Sequence, residues 1–349
     1  MKFFNNGKTI INYEDYGCQN NEVICFSNSL GTDNRLWHKI IDFFKNDYRI
    51  ITYDKRGHGL SSKPNGNISI EDLALDISDL LDHLRIKEVN LVGISIGGMI
   101  AQKLVSIKPN LIKKLILCNT AVKIGNSAIW NDRINLVKKL GITGISDSII
   151  SRWFSEDFIS MNFDEIQIYK NMLNVTSLDG YIACCEAIKD TDLTNATNLI
   201  NKPTLVIVGS DDKSTPPILV EATSKLIKNC IFKIINNSGH LPCIDNPVEF
   251  STSGQTVDFG VTNPGNPLDP RGNESEDDKA GTQISFLPAG NNYPAGHDST
   301  PAGYKNVGLG SMVIYRDNLL MTHAAMYDPS LLQGDMQIGI TSSQNGALS

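Results

Sequence analysis

The stretch Gly93-Ile-Ser95-Ile-Gly97 constrains this chain more than any other. It lies between an apolar run, Val89–Gly93, and a segment from Met99 to Ile107 with helical spacing. A strand that enters a sharp turn and leaves as a helix exposes a serine oxygen at the top of a sheet. Glycines on both sides of the serine relieve the crowding of such a turn. The competing reading is a serine that merely caps a helix in a βα loop. A nucleophilic serine needs a base to take its proton and a carboxylate to orient that base.

Both groups follow in the chain. The run Pro203–Gly209 reads as a buried strand, and Ser-Asp211-Asp212-Lys comes next. The run Ile231–Ile235 reads as another strand, followed by Asn-Asn-Ser-Gly-His240. Both places lie just past the carboxyl ends of strands, where open α/β sheets carry their chemistry. Of six histidines, His240 is the candidate base. His58 sits in the tight loop Asp54-Lys-Arg-Gly-His-Gly and reads as a loop-ordering hydrogen bonder. His38 and His83 fall in helical patterns, and His297 and His323 lie far along the chain. On position alone, Asp211 and Asp212 are both open as the acid.

The composition changes abruptly near Phe250, as at a fusion or a domain boundary. Residues 1–250 hold all seven cysteines and 27 of the 31 Lys+Arg. Residues 251–349 hold no cysteine, 13 of the 28 glycines and 7 of the 14 prolines. This acidic, turn-rich tail has short apolar runs at Gln283–Leu287, Ser311–Tyr315 and Met336–Ile340 that suit a small β unit. Over the whole chain the net charge is −7 with no basic cluster, which argues against nucleic acid as a partner. No apolar run is long enough to span a bilayer, so no membrane partner is expected. Neither a signal peptide nor metal-ligand cysteine spacing is apparent, and the adjacent pair Cys184-Cys185 cannot form an ordinary bridge. A cytoplasmic protein with reduced thiols is the expectation.

Strands and helices alternate along residues 1–250. Residues 8–17 and 22–28 read as a β-hairpin, and Arg49–Tyr53 as a strand. Ser69 reads as the cap of a helix over Ile70–Leu84, whose Leu73, Ile77, Leu80, Leu81 and Leu84 keep one buried face. After the serine turn come its helix and the strand Lys114–Cys118. Such alternation implies an α/β fold with a mainly parallel sheet and helices on both faces. From Trp130 to about Thr197 the pattern is helical throughout. The expected organisation is therefore a core over 1–125 and 198–250, a helical lid over 126–197, and an unassigned tail over 251–349. A lid above the catalytic end would exclude water and select substrate.

Residues 3–250 resemble the α/β-hydrolase superfamily and, within it, the 3-oxoadipate enol-lactonases. At superfamily level the resemblance lies in Tyr53-Asp-Lys-Arg-Gly-His-Gly-Leu-Ser61, the serine elbow, and Ser238-Gly-His-Leu-Pro242. Narrower, lactonase-like features are Ser27-Asn-Ser-Leu-Gly-Thr32 with Trp37, Leu117-Cys-Asn-Thr-Ala-Val-Lys-Ile-Gly125, and Trp130-x-x-Arg133. Further ones are Gly180-Tyr-Ile-Ala-Cys-Cys-Glu-Ala-Ile-x-Asp190 and Gly209-Ser-Asp-Asp-x-x-Thr-Pro-Pro217. The family's acid is the third residue past that last glycine, which selects Asp212.

The resemblance implies a carboxylate-bearing enol-lactone as substrate, opened through an acyl-enzyme to 3-oxoadipate. Ser95 would attack, His240 would take its proton, and Asp212 would hold the imidazole tautomer. The oxyanion hole would be the backbone N–H groups of Leu30 and Ile96, such donors being worth about 2.7–4 kcal/mol each. Arg133, at the start of the lid, is the candidate for the substrate carboxylate, with Trp130 one helical turn earlier walling the pocket. Arg56 reads as ordering its own loop. No cofactor and no metal is implied. The same residues are compatible with a general carboxylesterase or a cofactor-free perhydrolase, and a binding or interaction protein on a silent hydrolase fold is the reading of another class. One departure stands out: Asn246-Pro-Val-Glu-Phe250 looks like the start of a closing helix, yet Ser-Thr-Ser-Gly-Gln follows it instead of an apolar continuation.

Overall fold

The computed structural model describes residues 2–17 and 21–255, together with short strands at 312–315, 318–321, 340–341 and 347–348. The chain divides into two compact units, Met1–Gly260 and Val261–Ser349.

The first unit is built on eight strands: β1 (Lys2–Asn5), β2 (Ile10–Tyr16), β3 (Val23–Ser27), β4 (Arg49–Tyr53), β5 (Val89–Ile94), β6 (Ile112–Cys118), β7 (Thr204–Gly209) and β8 (Cys230–Ile235). They form one sheet in the order β1-β2-β4-β3-β5-β6-β7-β8. Pairing is parallel from β4 through β3 to β8, and β2 runs antiparallel to both β1 and β4. The expected hairpin of residues 8–17 with 22–28 is not formed, because β4 lies between the two strands. Every residue of β3 is buried, as a strand inside a parallel sheet requires, whereas β2 keeps partly exposed positions and belongs near the edge. The real hairpin joins β1 to β2, across a turn that contains Asn6-Gly7.

Twelve helices cover or cap this sheet: α1 (His38–Phe44), α2 (Ile70–His83), α3 (Ile96–Ile107), α4 (Ser127–Leu140), α5 (Ser146–Trp153), α6 (Glu156–Met161), α7 (Phe163–Asn174), α8 (Leu178–Lys189), α9 (Thr194–Asn198), α10 (Pro217–Ser224), α11 (Pro242–Asp245) and α12 (Pro247–Gln255). Ser69 caps α2 as expected, in a reciprocal pair with Asp72. Alternation along the strands puts Ile24, Phe26, Val92, Ile116 and Ile207 on one face, where Phe44 of α1 and Phe250 of α12 pack on them. Cys25, Leu91, Leu115 and Val206 alternate with these and are fully buried as well. Both faces of the central sheet are thus removed from water, and that burial drives the fold.

Helices α4 to α9 all fall between β6 and β7, in the segment that reads as helical throughout. Their attachment to the sheet is close. A Cβ on Gly57 would lie 2.4 Å from the Cα of Gly180 in α8, so both positions need glycine for the two backbones to meet. The closing helix does form, as α12 over Pro247–Gln255, where the described residues of this unit stop. At the sheet edge beside it, Ile231 and Ile234 of β8 stay 50% and 42% exposed.

In the second unit, Met312–Tyr315 pairs antiparallel with Asn318–Met321, and Ile340–Thr341 with Ala347–Leu348. The expected run Ser311–Tyr315 overlaps the strand Met312–Tyr315, whereas of Met336–Ile340 only Ile340 lies in a described strand. The run Gln283–Leu287 lies outside the described residues.

Candidate active site

Ser95 occupies the turn between β5 and α3 with φ 58° and ψ −122°. A non-glycine residue there is strained and persists only where its surroundings hold it. Three contacts do so: the Ser95 N–H donates to the Cys118 carbonyl at 3.0 Å, its carbonyl accepts from Gly98 N–H at 2.9 Å, and Thr120 Oγ1 donates to the same carbonyl at 2.7 Å. Gly97 permits the turn to press on β3, since a Cβ there would lie 2.1 Å from the Ser27 carbonyl oxygen. Ser95 precedes α3 but its side chain makes no capping bond, so the helix-cap reading fails.

The two candidates Asp212 and His240 follow β7 and β8, two and three strands further along the sheet. His240 Nδ1 is 2.8 Å from Asp212 Oδ2, and both residues are buried, at 3% exposure each. Asp211 is exposed, and it is Asp212 that meets the imidazole. Asp212 is saturated with donors. Its Oδ1 accepts from the N–H groups of Ser214 and Thr215 at 2.7 and 3.0 Å. Its Oδ2 accepts from Thr215 Oγ1 at 2.6 Å and Asn119 Nδ2 at 2.9 Å, beside the imidazole. Burial pushes this carboxyl upward, but the His240 charge and the bonds from His240, Thr215 and Asn119 outweigh it and hold the group below its ordinary value. Asp212 is therefore an anion that accepts from His240 Nδ1–H, which leaves Nε2 as the basic nitrogen.

The histidine loop is fixed from two sides. The N–H groups of His240 and Leu241 donate to the Trp153 carbonyl at the end of α5, at 2.7 and 3.1 Å. Asp245 of α11 accepts from Ser238 Oγ at 2.5 Å and from Gly239 N–H at 2.7 Å. Asn119, which follows β6 with φ 46°, ties the serine strand's neighbour to this loop by also donating to the Gly239 carbonyl at 3.2 Å. The Ser95 hydroxyl itself has no hydrogen-bond partner among the described residues. Such catalytic contacts often close only when substrate is seated.

On the other side of Ser95 lies the loop Asn28–Thr32. Leu30 N–H donates to nothing among the described residues, while the N–H of Gly31 next to it donates to His58 Nε2 at 3.0 Å. Ile96 N–H opens α3, so no turn of helix precedes it to accept its bond. These are the two expected oxyanion donors. Arg56 pairs with Asp76 through Nε at 2.7 Å and Nη2 at 2.5 Å, and so orders its loop rather than facing a ligand.

Arg133 and Trp130 share one face of α4, with the guanidinium carbon 5.8 Å from the indole centroid. Trp130 is buried, and its Nε1 donates to the Ile124 carbonyl at 2.6 Å. Arg133 Nη1 donates to the Tyr181 hydroxyl at 3.2 Å. Arg152 of α5, which sequence reasoning did not single out, donates to the Lys213 carbonyl at 2.7 Å. Burial, and then the charge of Arg133, push the pKa of Arg152 below its ordinary value, while Asp212 acts the other way, so the two guanidinium groups and the acid share one region. Neither arginine has a carboxylate partner within 4 Å among the described residues. Asn119 and Thr215 were also missed as supports, although both stand inside motifs already singled out.

The chain is similar to known hydrolases. A family profile described as the alpha/beta hydrolase fold matches residues 22–137. Two 3-oxoadipate enol-lactonases of Acinetobacter baylyi are each 34% identical over 247 and 244 residues, which is 71% and 70% of this chain and 92% and 91% of theirs. A crystal structure of the enol-lactonase from Burkholderia xenovorans superposes with a TM-score of 0.72 at 29% identity, covering 73% of this chain and 99% of that one. A hydrolase from Pseudomonas aeruginosa follows at 0.70 and 27%, covering 73% and 97%. These relatives and structures cover 70–73% of the chain. This chain is a hydrolase, and it belongs to the α/β-hydrolase superfamily and the 3-oxoadipate enol-lactonase family within it.

Proposed function

We propose that the protein opens a carboxylate-bearing enol-lactone of the 3-oxoadipate type by serine catalysis. The observation that carries the proposal is the 2.8 Å contact between His240 Nδ1 and an Asp212 saturated with donors, on the same sheet rim as the elbow serine. His240 Nε2 takes the proton of the Ser95 hydroxyl as Oγ attacks the lactone carbonyl. The ring C–O bond breaks, the leaving enol oxygen receives that proton, and an ester on Ser95 remains. Water, deprotonated by the same nitrogen, then hydrolyses the ester to the free acid. Asp212 holds the imidazole tautomer and stabilises its protonated form. Leu30 N–H and Ile96 N–H receive the charge that develops on the carbonyl oxygen.

Arg133 supplies the cation for the substrate's carboxylate, and Arg152 adds a second positive group nearby. Helices α4 to α9 act as the lid, since both arginines lie on them and the Trp153 carbonyl couples them to the His240 loop. A small-molecule lactone is thus the partner. No helix among the described residues is long and apolar enough to cross a membrane, and no group of metal-ligating side chains occurs among them. The test compares the enol-lactone with p-nitrophenyl acetate. A higher kcat/KM for the lactone supports the assignment, and a preference for the uncharged ester would reduce the protein to a general esterase.

A further inference from the structure

Lys55 follows β4 and is 1% exposed, yet no carboxylate lies within ion-pair distance of it among the described residues. Its ammonium donates to the Ser29 carbonyl at 2.5 Å and to the Thr32 carbonyl at 3.1 Å. A charge buried this way is costly unless it is used. The Ser29 carbonyl and the Leu30 N–H are the two ends of one planar, trans peptide group, so they point in opposite directions. The Ser29 carbonyl also accepts from Thr32 Oγ1 at 2.9 Å and Thr32 N–H at 3.3 Å. Donors converging on a carbonyl draw electron density from the whole amide and make its N–H a stronger donor. The following peptide is fixed too, since Gly31 N–H is held by His58 Nε2. That bond requires a neutral imidazole, and burial together with the Lys55 charge keeps His58 well below its ordinary value.

We propose that Lys55 is a positioning residue for the oxyanion hole: its buried ammonium orients and polarises the Ser29–Leu30 peptide, so that Leu30 N–H is aimed and strengthened for the developing oxyanion. This rests on the serine-hydrolase reading of the site. The charge is conditional. Burial lowers Lys55 from 10.5 to about 8, against the opposing influence of Cys184 on α8 and of Asp54 and Asp33 in the adjoining loops. His58, neutral, and Arg56 with its partner Asp76 are the other titratable groups of this neighbourhood. Loss of the proton leaves two N–H bonds on the amine, so the loop keeps its shape while the polarisation weakens.

Catalysis and stability should therefore part company in alkali. Between about pH 8 and 10.5 the unfolded chain retains a proton that the folded protein has released, so this group makes the fold more stable as pH rises. Over the same range kcat should fall with KM nearly constant. A residue that only held the fold together would not move these two in opposite directions.

The experiment measures kcat, KM and melting temperature from pH 6 to 10 for wild type, Lys55→Met and Lys55→Arg, with Ser95→Ala as the control for the hydrolase reading. Activity of the wild type that Ser95→Ala abolishes confirms that reading independently of Lys55. Lys55→Met should then lose about 10–100-fold in kcat, a part of the 10²–10³ that removal of a whole oxyanion donor costs, and should lose the alkaline limb near pH 8. Lys55→Arg should regain activity relative to Lys55→Met and move the limb upward. A folded Lys55→Met with unchanged kcat and unchanged pH profile would overturn the proposal. A direct reading needs no variant: in wild type the Leu30 amide proton, followed by NMR, should shift with a midpoint near pH 8. An amide shift that stays flat from pH 7 to 9 would equally overturn it, even where Lys55→Met does not fold.

Discussion

The two flanks of Ser95 are built from different materials. On the β7–β8 flank the contacts are made by side chains: His240, Thr215 and Asn119 converge on one carboxylate oxygen of Asp212. On the β3 flank the groups are backbone: the N–H groups of Leu30 and Ile96, set by a strained serine turn and by the loop Asn28–Thr32. The side-chain flank manages a proton, which needs titratable groups. The backbone flank manages negative charge on a carbonyl oxygen, which needs fixed dipoles that cost no reorganisation. Substitution should therefore hit the first flank hard and leave the second untouched unless a main-chain donor or its orientation is changed.

The largest expected effect comes from the residue both flanks serve. Ser95→Ala should cost about 10⁶ in turnover on an activated ester, with little change in KM. Asp212→Asn, which keeps the shape but reverses the imidazole tautomer, should cost about 10⁴ in kcat. The contrast is sharpest at position 30. Leu30→Ala retains the N–H and should leave kcat within about threefold, whereas Leu30→Pro removes the donor and should cost about 10²–10³ while the melting transition persists. An equal loss in both variants would break the comparison. Arg133→Ala should lower kcat/KM for the lactone by about 10–100-fold, the worth of about 1.5–3 kcal/mol for a charged hydrogen bond, and affect p-nitrophenyl acetate far less. Smallest is Asn119→Ala, which deletes one of several donors to Asp212 and should cost about 1 kcal/mol, seen as a modest fall in kcat and in melting temperature.

The same division explains what could be read from the sequence. The strand ends that carry Ser95, Asp212 and His240 were legible because each follows an apolar run, and parallel strands deliver their carboxyl ends to one rim. The preference for Asp212 over Asp211 needed a family motif, and burial now gives the physical reason. Asn119 and Thr215 were invisible as supports, since a short polar residue after a strand carries no sign of what it will bond. The role of Lys55 was hidden for a related cause: a lysine in a Gly-rich loop reads as a solvated charge until the loop folds over it. The early strands were misjudged because β4, distant in sequence, inserts between β2 and β3, and nothing local to residues 8–28 signals a strand that arrives from 49–53. The loss of the apolar pattern after Phe250 did not signal that α12 continues through Ser251–Gln255.

Covalent trapping tests the central claim most directly. The protein is incubated with an activated phosphonate ester, which phosphonylates a serine made nucleophilic by a neighbouring base, and the adduct is located by peptide mass spectrometry. The account expects one label, on Ser95, formed at a rate that collapses in His240→Ala. Labelling elsewhere, or labelling of Ser95 at an undiminished rate without the imidazole, would contradict it.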